Sequence, residues 1–303
     1  MYKFKETELL NRYISACTLY EGIGIAVIAF AHHKGGTGKT TSCLQVAGFL
    51  AKTGRRVLVV DTDPQANATL GLGIHPDTPA QNIYHLYLAY GDPDASRVSL
   101  SDLIVRTVSG IDLVPSHLDL VGAEPVLYQC AERYTILKKE ISAVKNRYDH
   151  ILIDTPPFLG QFVLNGLIAA DKNVLVFSPD SFAWNGYENI RLILADIEEF
   201  LGDTISIHMA ILNRWERQES QQSLFDRLST FFGREKSKGI DPGEEIKKLL
   251  EDQMRRDIGS VYLVPDSQAV SGSNRRGMPL AFSNPEDPAA QAFSLIAGVL
   301  DQK

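Results

Sequence analysis

The stretch Ile25-Ala26-Val27-Ile28-Ala29-Phe30-Ala31-His32-His33-Lys34-Gly35-Gly36-Thr37-Gly38-Lys39-Thr40-Thr41 decides the fold. An unbroken apolar run enters a glycine-rich turn and leaves it through Gly-Lys-Thr-Thr, and residues 39–52 then read as a helix. Strand, glycine loop and helix in that order form the context in which a backbone cradles phosphates. Gly35, Gly36 and Gly38 can reach positive φ and expose their N–H groups. Together with the N-terminus of the following helix they make an anion site. Lys39 supplies a point charge for the β- and γ-phosphates, and Thr40 a hydroxyl for Mg²⁺. The strict phosphate-loop pattern asks for glycine where this chain has His33. The backbone argument does not need that residue.

Working outward, further apolar runs occupy 57–60, 111–114, 150–153, 173–177, 207–212 and 261–264, with helical stretches such as 39–52 and 131–145 between them. Most of these runs are solid rather than alternating, the mark of strands covered on both faces. The expected fold is α/β: a doubly wound, mostly parallel sheet flanked by helices on both faces. Residues 1–20 are expected to form an amphipathic helical extension, since Leu10, Tyr13, Ile14 and Cys17 recur at helical spacing. That helix either packs on its own sheet or meets a partner. Residues 21–303 are expected to form one domain. The polar stretch 214–260 reads as surface helices around a turn at Asp241-Pro242-Gly243.

Composition narrows the function classes. The chain of 303 residues is 44% hydrophobic and 22% charged, which excludes bulk disorder. Its net charge of -7 excludes a surface that binds polyanions all over, though not a local basic patch. The longest apolar run, 23–31, is far short of the roughly 20 residues a membrane span needs. The first residues make a poor secretory signal. Cys17, Cys43 and Cys130 show no paired spacing. They are expected to be structural, and the address cytoplasmic.

Two further segments carry carboxylates at strand ends, where open α/β sheets bind ligands. One is Asp61-Thr62-Asp63-Pro64-Gln65-Ala66-Asn67, and the other Ile151-Leu152-Ile153-Asp154-Thr155-Pro156-Pro157. Acids this close repel each other, so a cation is their natural partner. An apolar strand ending in Asp154 suits Mg²⁺ held through water. The proline pair stiffens a loop that could sense the γ-phosphate.

Lys34-Gly35-Gly36-Thr37-Gly38-Lys39-Thr40 resembles the deviant Walker A motif of the ParA/MinD family of ATPases, and is most similar to that of ParA/Soj-type partition ATPases. The resemblance implies that Lys34 is the signature lysine, which crosses a dimer interface to the partner's nucleotide. A second cation there neutralises charge on the transferring phosphoryl group, tying hydrolysis to dimerisation. The segment 61–67 resembles the family's D-x-D-P-Q-x-N, which implies that Asp63 orients the attacking water and Asp61 acts near the Mg²⁺ shell. Asn213-Arg214 is similar to the family's adenine-contacting pair, and Val264-Pro265 to the strand end beside the base; Gly277-Met278-Pro279-Leu280 resembles another late motif. By resemblance, then, Lys34, Lys39 and Asp63 are catalytic. Residues 34–41 with Asn213 and Pro265 bind nucleotide, Thr41 included. Thr40, Asp61 and Asp154 serve the metal, and the cofactors are ATP and Mg²⁺.

Two departures stand out. His32-His33 replaces the usual Asn-Gln, and Phe158 a common serine. The histidines are expected to serve through backbone alone, the alternative being a pH-sensitive phosphate contact. The resemblance implies a homodimer on ATP binding, slow hydrolysis stimulated by an adaptor protein, and non-specific DNA as the track for plasmid, chromosome or protein cargo. Between 214 and 256 ten basic residues face nine acidic ones, a relative enrichment only. Arg255, Arg256, Arg275 and Arg276 are the candidate DNA contacts. The alternative is a MinD-like switch on a membrane or protein surface. A membrane helix should carry several Lys/Arg, whereas the apolar stripe Phe293, Ile296, Val299 and Leu300 is followed only by Lys303. It reads as a core helix. A metal-cluster carrier or reductase would want a close or repeated cysteine pair, which is missing.

Overall fold

The computed structural model describes residues 25–158, 160–178, 205–215 and 259–302, and residues 191, 192, 194, 195, 198 and 199. The expected 1–20 helix, Cys17, Arg255, Arg256 and most of 214–260 lie outside the described residues.

The first strand, β1 (Ala26–Ala31), feeds helix α1 (Lys39–Lys52) through the glycine loop. Strand β2 (Val57–Asp61) then leads to the short α2 (Asn67–Gly71) and to α3 (Ile83–Gly91). A hairpin of β3 (Val105–Arg106) and β4 (Asp112–Val114) precedes α4 (Ala123–Leu127) and α5 (Ile136–Val144). Next come β5 (His150–Asp154), α6 (Gln161–Ala169), β6 (Lys172–Phe177) and β7 (Ile207–Trp215). The chain closes with β8 (Val261–Pro265), α7 (Gln268–Arg275), α8 (Leu280–Ser283) and α9 (Pro288–Leu300). The strands form one eight-stranded sheet in the order β3-β4-β2-β5-β1-β6-β7-β8. Every pairing is parallel except β3 with β4.

The solid apolar strands are solid for the expected reason. Ile28, Phe30, Val57, Val59 and Leu152 join one buried cluster with Leu44 and Leu50 of α1 and Phe293, Ile296 and Leu300 of α9. Their sequence neighbours Val27, Ala29, Leu58, Val60, Ile151 and Ile153 join a second cluster with Leu86 and Tyr87 of α3, Ile141 of α5 and Phe162 of α6. Side chains alternate across a strand, so each strand is apolar on both faces because helices cover both. The C-terminal stripe is thus spent on the core: Phe293, Ile296 and Leu300 are fully buried. Among the described residues no helix is long and apolar enough to cross a membrane.

Four local expectations need correction. The antiparallel pair β3–β4 adds an edge strand of two residues, too short to carry a periodic signal. The helix expected over 131–145 begins only at Ile136, because 131–135 turns to offer the Arg133 carbonyl to Asn165 Nδ2 at 2.6 Å. Strand β7 runs on to Trp215, past the expected end at 212. Cys43 is buried as expected, but Cys130 is only partly covered.

Candidate functional site

The C-terminal ends of β1, β2 and β5 lie side by side, so the loops that leave them meet. Strand β1 sits at the point where the chain's strand order turns, between β5 and β6. Open parallel sheets take ligands in that crevice.

The glycine loop has the backbone the sequence asks for. Gly36 (φ 79°) and Gly38 (φ 96°) lie in the left-handed region, where a side chain is strained. Gly38 is the N-cap of α1 and no side chain caps that end, so the helix presents bare N–H groups. Gly35 faces Pro157 from the β5 loop. Thr37 is buried, its Oγ1 has no hydrogen-bond partner, and its carbonyl accepts from Asn213 Nδ2 at 3.2 Å. Thr41 Oγ1 accepts from Asn274 Nδ2 at 3.2 Å, which ties the loop to α7.

Lys39 is 6% exposed, and its ammonium donates to the Lys34 carbonyl at 3.3 Å. Burial holds its pKa below the usual range, while Asp154 and Asp63 pull it back up. The Lys34 N–H donates to His32 Nδ1 at 3.0 Å. That bond corrects the backbone-only reading for His32. The His32 imidazole is buried edge-on against Phe177, within reach of the next amide but one. Burial, then the charges of Lys39 and Lys34, push the His33 pKa down.

The carboxylates divide into two kinds. Asp61 is knotted into its own loop: it accepts from Asp63 N at 3.1 Å, Thr69 N at 2.8 Å and Thr69 Oγ1 at 2.8 Å. Burial still pushes it up to about 7. Asp154 sits opposite it in register on the neighbouring strand. It is fully buried and no backbone donor reaches its carboxylate, which the Thr40 hydroxyl alone approaches as a hydrogen-bond donor. Burial, then the Asp61 carboxylate, drive its pKa well up, against the Thr40 side chain and Lys39. Asp63 accepts from Gln65 N at 2.9 Å, and burial raises its pKa while Gln65 and Lys39 oppose. Asp63 and Asp154 face the Lys39 ammonium, and Asp61 lies against Asp154. Three buried acids with one buried ammonium among them suit a divalent cation. Thr40 stands beside the Asp154 carboxylate.

The strand ends are stitched by residues that pattern reading passed over. Thr62 donates through its N–H (3.0 Å) and Oγ1 (2.7 Å) to the Asp154 carbonyl, and Thr155 Oγ1 donates to the Phe30 carbonyl at 2.7 Å. Both acid-bearing strands end Asp-Thr, so the signal was present. Pro265 ends β8 opposite Trp215, in register with the strand that carries Asn213. Arg275 and Arg276 are exposed at the end of α7, next in the chain to Asn274, which bonds Thr41.

A family described as an AAA domain matches residues 25–207, more than half of the chain. The sporulation initiation inhibitor protein Soj of Bacillus subtilis is 30% identical over 88% of this chain and 94% of its own. The chain belongs to the ParA/Soj/MinD family of P-loop ATPases. Among solved structures, MinD from Pyrococcus horikoshii complexed with Mg-ADP matches at TM-score 0.66 and 25% identity, over 90% of this chain and 95% of that one. The ATP complex of a Cyanothece McdA variant matches at TM-score 0.72 and 21% identity, over 92% and 97%, and speaks for the shared fold alone.

Proposed function

We propose that this ParA-family chain is an ATP-driven dimerising switch that hydrolyses ATP slowly and positions or partitions cargo, with non-specific DNA as its track. One observation carries the reading: Lys39, Asp63 and the buried carboxylate of Asp154 converge on a phosphate loop that has a second lysine, Lys34, anchored through its N–H at its start. The N–H groups of Gly35 to Thr41 bind phosphate oxygens. Lys39 leaves the Lys34 carbonyl for the phosphates. Thr40 and Asp154 would hold Mg²⁺, which when bound would neutralise charge on the phosphates. Asp63, its pKa raised by burial, accepts a hydrogen bond from the attacking water and orients it. Lys34 reaches the nucleotide of a second subunit, so hydrolysis waits for the dimer and for a stimulating adaptor.

The MinD-like alternative has less support, because the C-terminal apolar stripe is packed inside the core. Exposed Arg275 and Arg276 on a helix tied to Thr41 support DNA as the track.

The test is binding of Asp63→Ala protein, held with ATP, to random-sequence duplex across a salt series, with ADP and anionic vesicles as controls. Expected is ATP-dependent binding that weakens steeply with salt. An ATP dimer that ignores DNA removes the track. ATP binding by Lys39→Ala protein as tight as that of the parent removes the phosphate-loop reading itself. A single-subunit mass in solution with ATP removes the role of Lys34 across the interface.

A further inference from the structure

We propose that Asn213 is a positioning residue for the phosphate loop: by holding the Thr37 carbonyl it turns the Gly38 N–H toward the bound anion. This deepens the nucleotide-binding reading above and rests on it. Asn213 Nδ2 donates to the Thr37 carbonyl at 3.2 Å, and the bond is buried. The Thr37–Gly38 peptide is planar and trans, so its carbonyl and its N–H point in opposite directions. An anchor on the carbonyl therefore aims the N–H away from Asn213. Gly38 is the left-handed N-cap of α1, and a peptide flip there is the cheapest motion open to the loop.

Packing reinforces the bond. A Cβ on Gly38 would overlap the Asn213 amide nitrogen, and would lie 3.1 Å from Asn213 Cγ. The carboxamide packs against the bare Cα and closes that side of the turn. Asn213 is itself held off the regular strand path. The β7–β8 register shifts between Leu212 and Trp215, and Arg214 adopts φ 59°. A bulge re-aims the side chain beside it. Beyond the bulge, Asp266 N donates to the Trp215 carbonyl at 2.9 Å and locks the strand again. The left-handed Arg214 is a local strain that persists because it delivers Asn213 to the loop.

A contact to the base and a hold on the loop make different predictions. Displacement of a fluorescent ADP derivative by Mg-ATP, Mg-GTP and Mg-tripolyphosphate separates them. Asn213→Ala is expected to weaken all three by a common factor of about ten, the size of one net hydrogen bond, and to leave the ATP/GTP ratio unchanged. Asn213→Asp keeps the shape that packs on Gly38 and removes the donor, so it serves if the alanine variant folds poorly. It is expected to lose at least as much. The Gly38 amide resonance should shift on adding Mg-tripolyphosphate to the parent, and shift less in either variant. Loss of ATP binding with a collapsed ATP/GTP ratio and unchanged tripolyphosphate binding overturns the proposal in favour of a base contact. Unchanged affinity for all three overturns it outright. If Lys39→Ala then still abolishes binding, the nucleotide-binding reading survives alone.

Discussion

Replacing Gln45 by methionine should destabilise this protein by about 3 kcal/mol, although Gln45 lies outside the chemistry. The side chain is fully buried on α1 and makes three hydrogen bonds to the segment that follows β8. Its Nε2 donates to Ser273 Oγ at 3.0 Å and to Asn274 Oδ1 at 3.2 Å, and its Oε1 accepts from Leu280 N at 2.8 Å. Methionine keeps the length and the packing, so the loss is polar rather than a cavity. The three bonds are not equal. Asn274 is partly exposed and can turn to water, so its loss costs little. Ser273 Oγ still donates to the Val270 carbonyl, which limits that loss to about 1 kcal/mol. The Leu280 N–H is left buried with no acceptor, which costs about 2 kcal/mol. The assay is urea unfolding without ligand. With a slope of about 3 kcal/mol/M the midpoint should fall by about 1 M, at constant slope. A midpoint within about 0.2 M of the parent's would refute the claim that this amide fastens α7 and α8 to the phosphate-loop helix.

Gly277 combines φ 66° with a missing Cβ that would stand 2.5 Å from Gly73 Cα, so Gly277→Ala should cost about 3 kcal/mol by thermal or urea unfolding. Asp154→Asn should stabilise the ligand-free protein at pH 8. The folded state holds the Asp154 proton more tightly than the unfolded chain does, so stability is lost as pH rises through the raised pKa. Melting curves from pH 5 to 8 should show the gain shrinking toward acid, and Mg²⁺ should no longer raise the melting temperature in the presence of ADP. Burial pushes Asp301 up, but the His150 and Arg55 hydrogen bonds more than reverse it, so its pKa is depressed. Its contribution is present above the ordinary carboxylate range and is lost as pH falls through the depressed value. Asp301→Asn should therefore be less stable than the parent at pH 7, with the gap narrowing as pH falls below the ordinary carboxylate range.

Much of this was legible in the sequence. Solid apolar runs meant two covered faces, and the two core clusters divide the strands residue by residue. Gly36 and Gly38 were readable as left-handed positions because only glycine takes that backbone without strain. Lys39 and the strand-end acids were readable because local spacing fixes which loop they enter. The N-terminal boundary of α5 was not, because a distant amide, Asn165, captures the Arg133 carbonyl and holds 131–135 in turns. Nor was the side-chain role of His32, which depends on Phe177 from another strand.

The sequence by itself determined the strands, the glycine loop and the residue types that meet phosphate, since backbone freedom and hydrophobic periodicity are local properties. Only the tertiary structure decided how the acids share their work. Asp61 and Asp154 read alike as strand-end acids, yet three donors of its own loop surround one, while no backbone donor reaches the other. It also decided that Asn213, 176 residues further along the chain, holds the Thr37 carbonyl. Contacts of that span follow from the strand order and from one bulge in β7, and a linear pattern encodes neither.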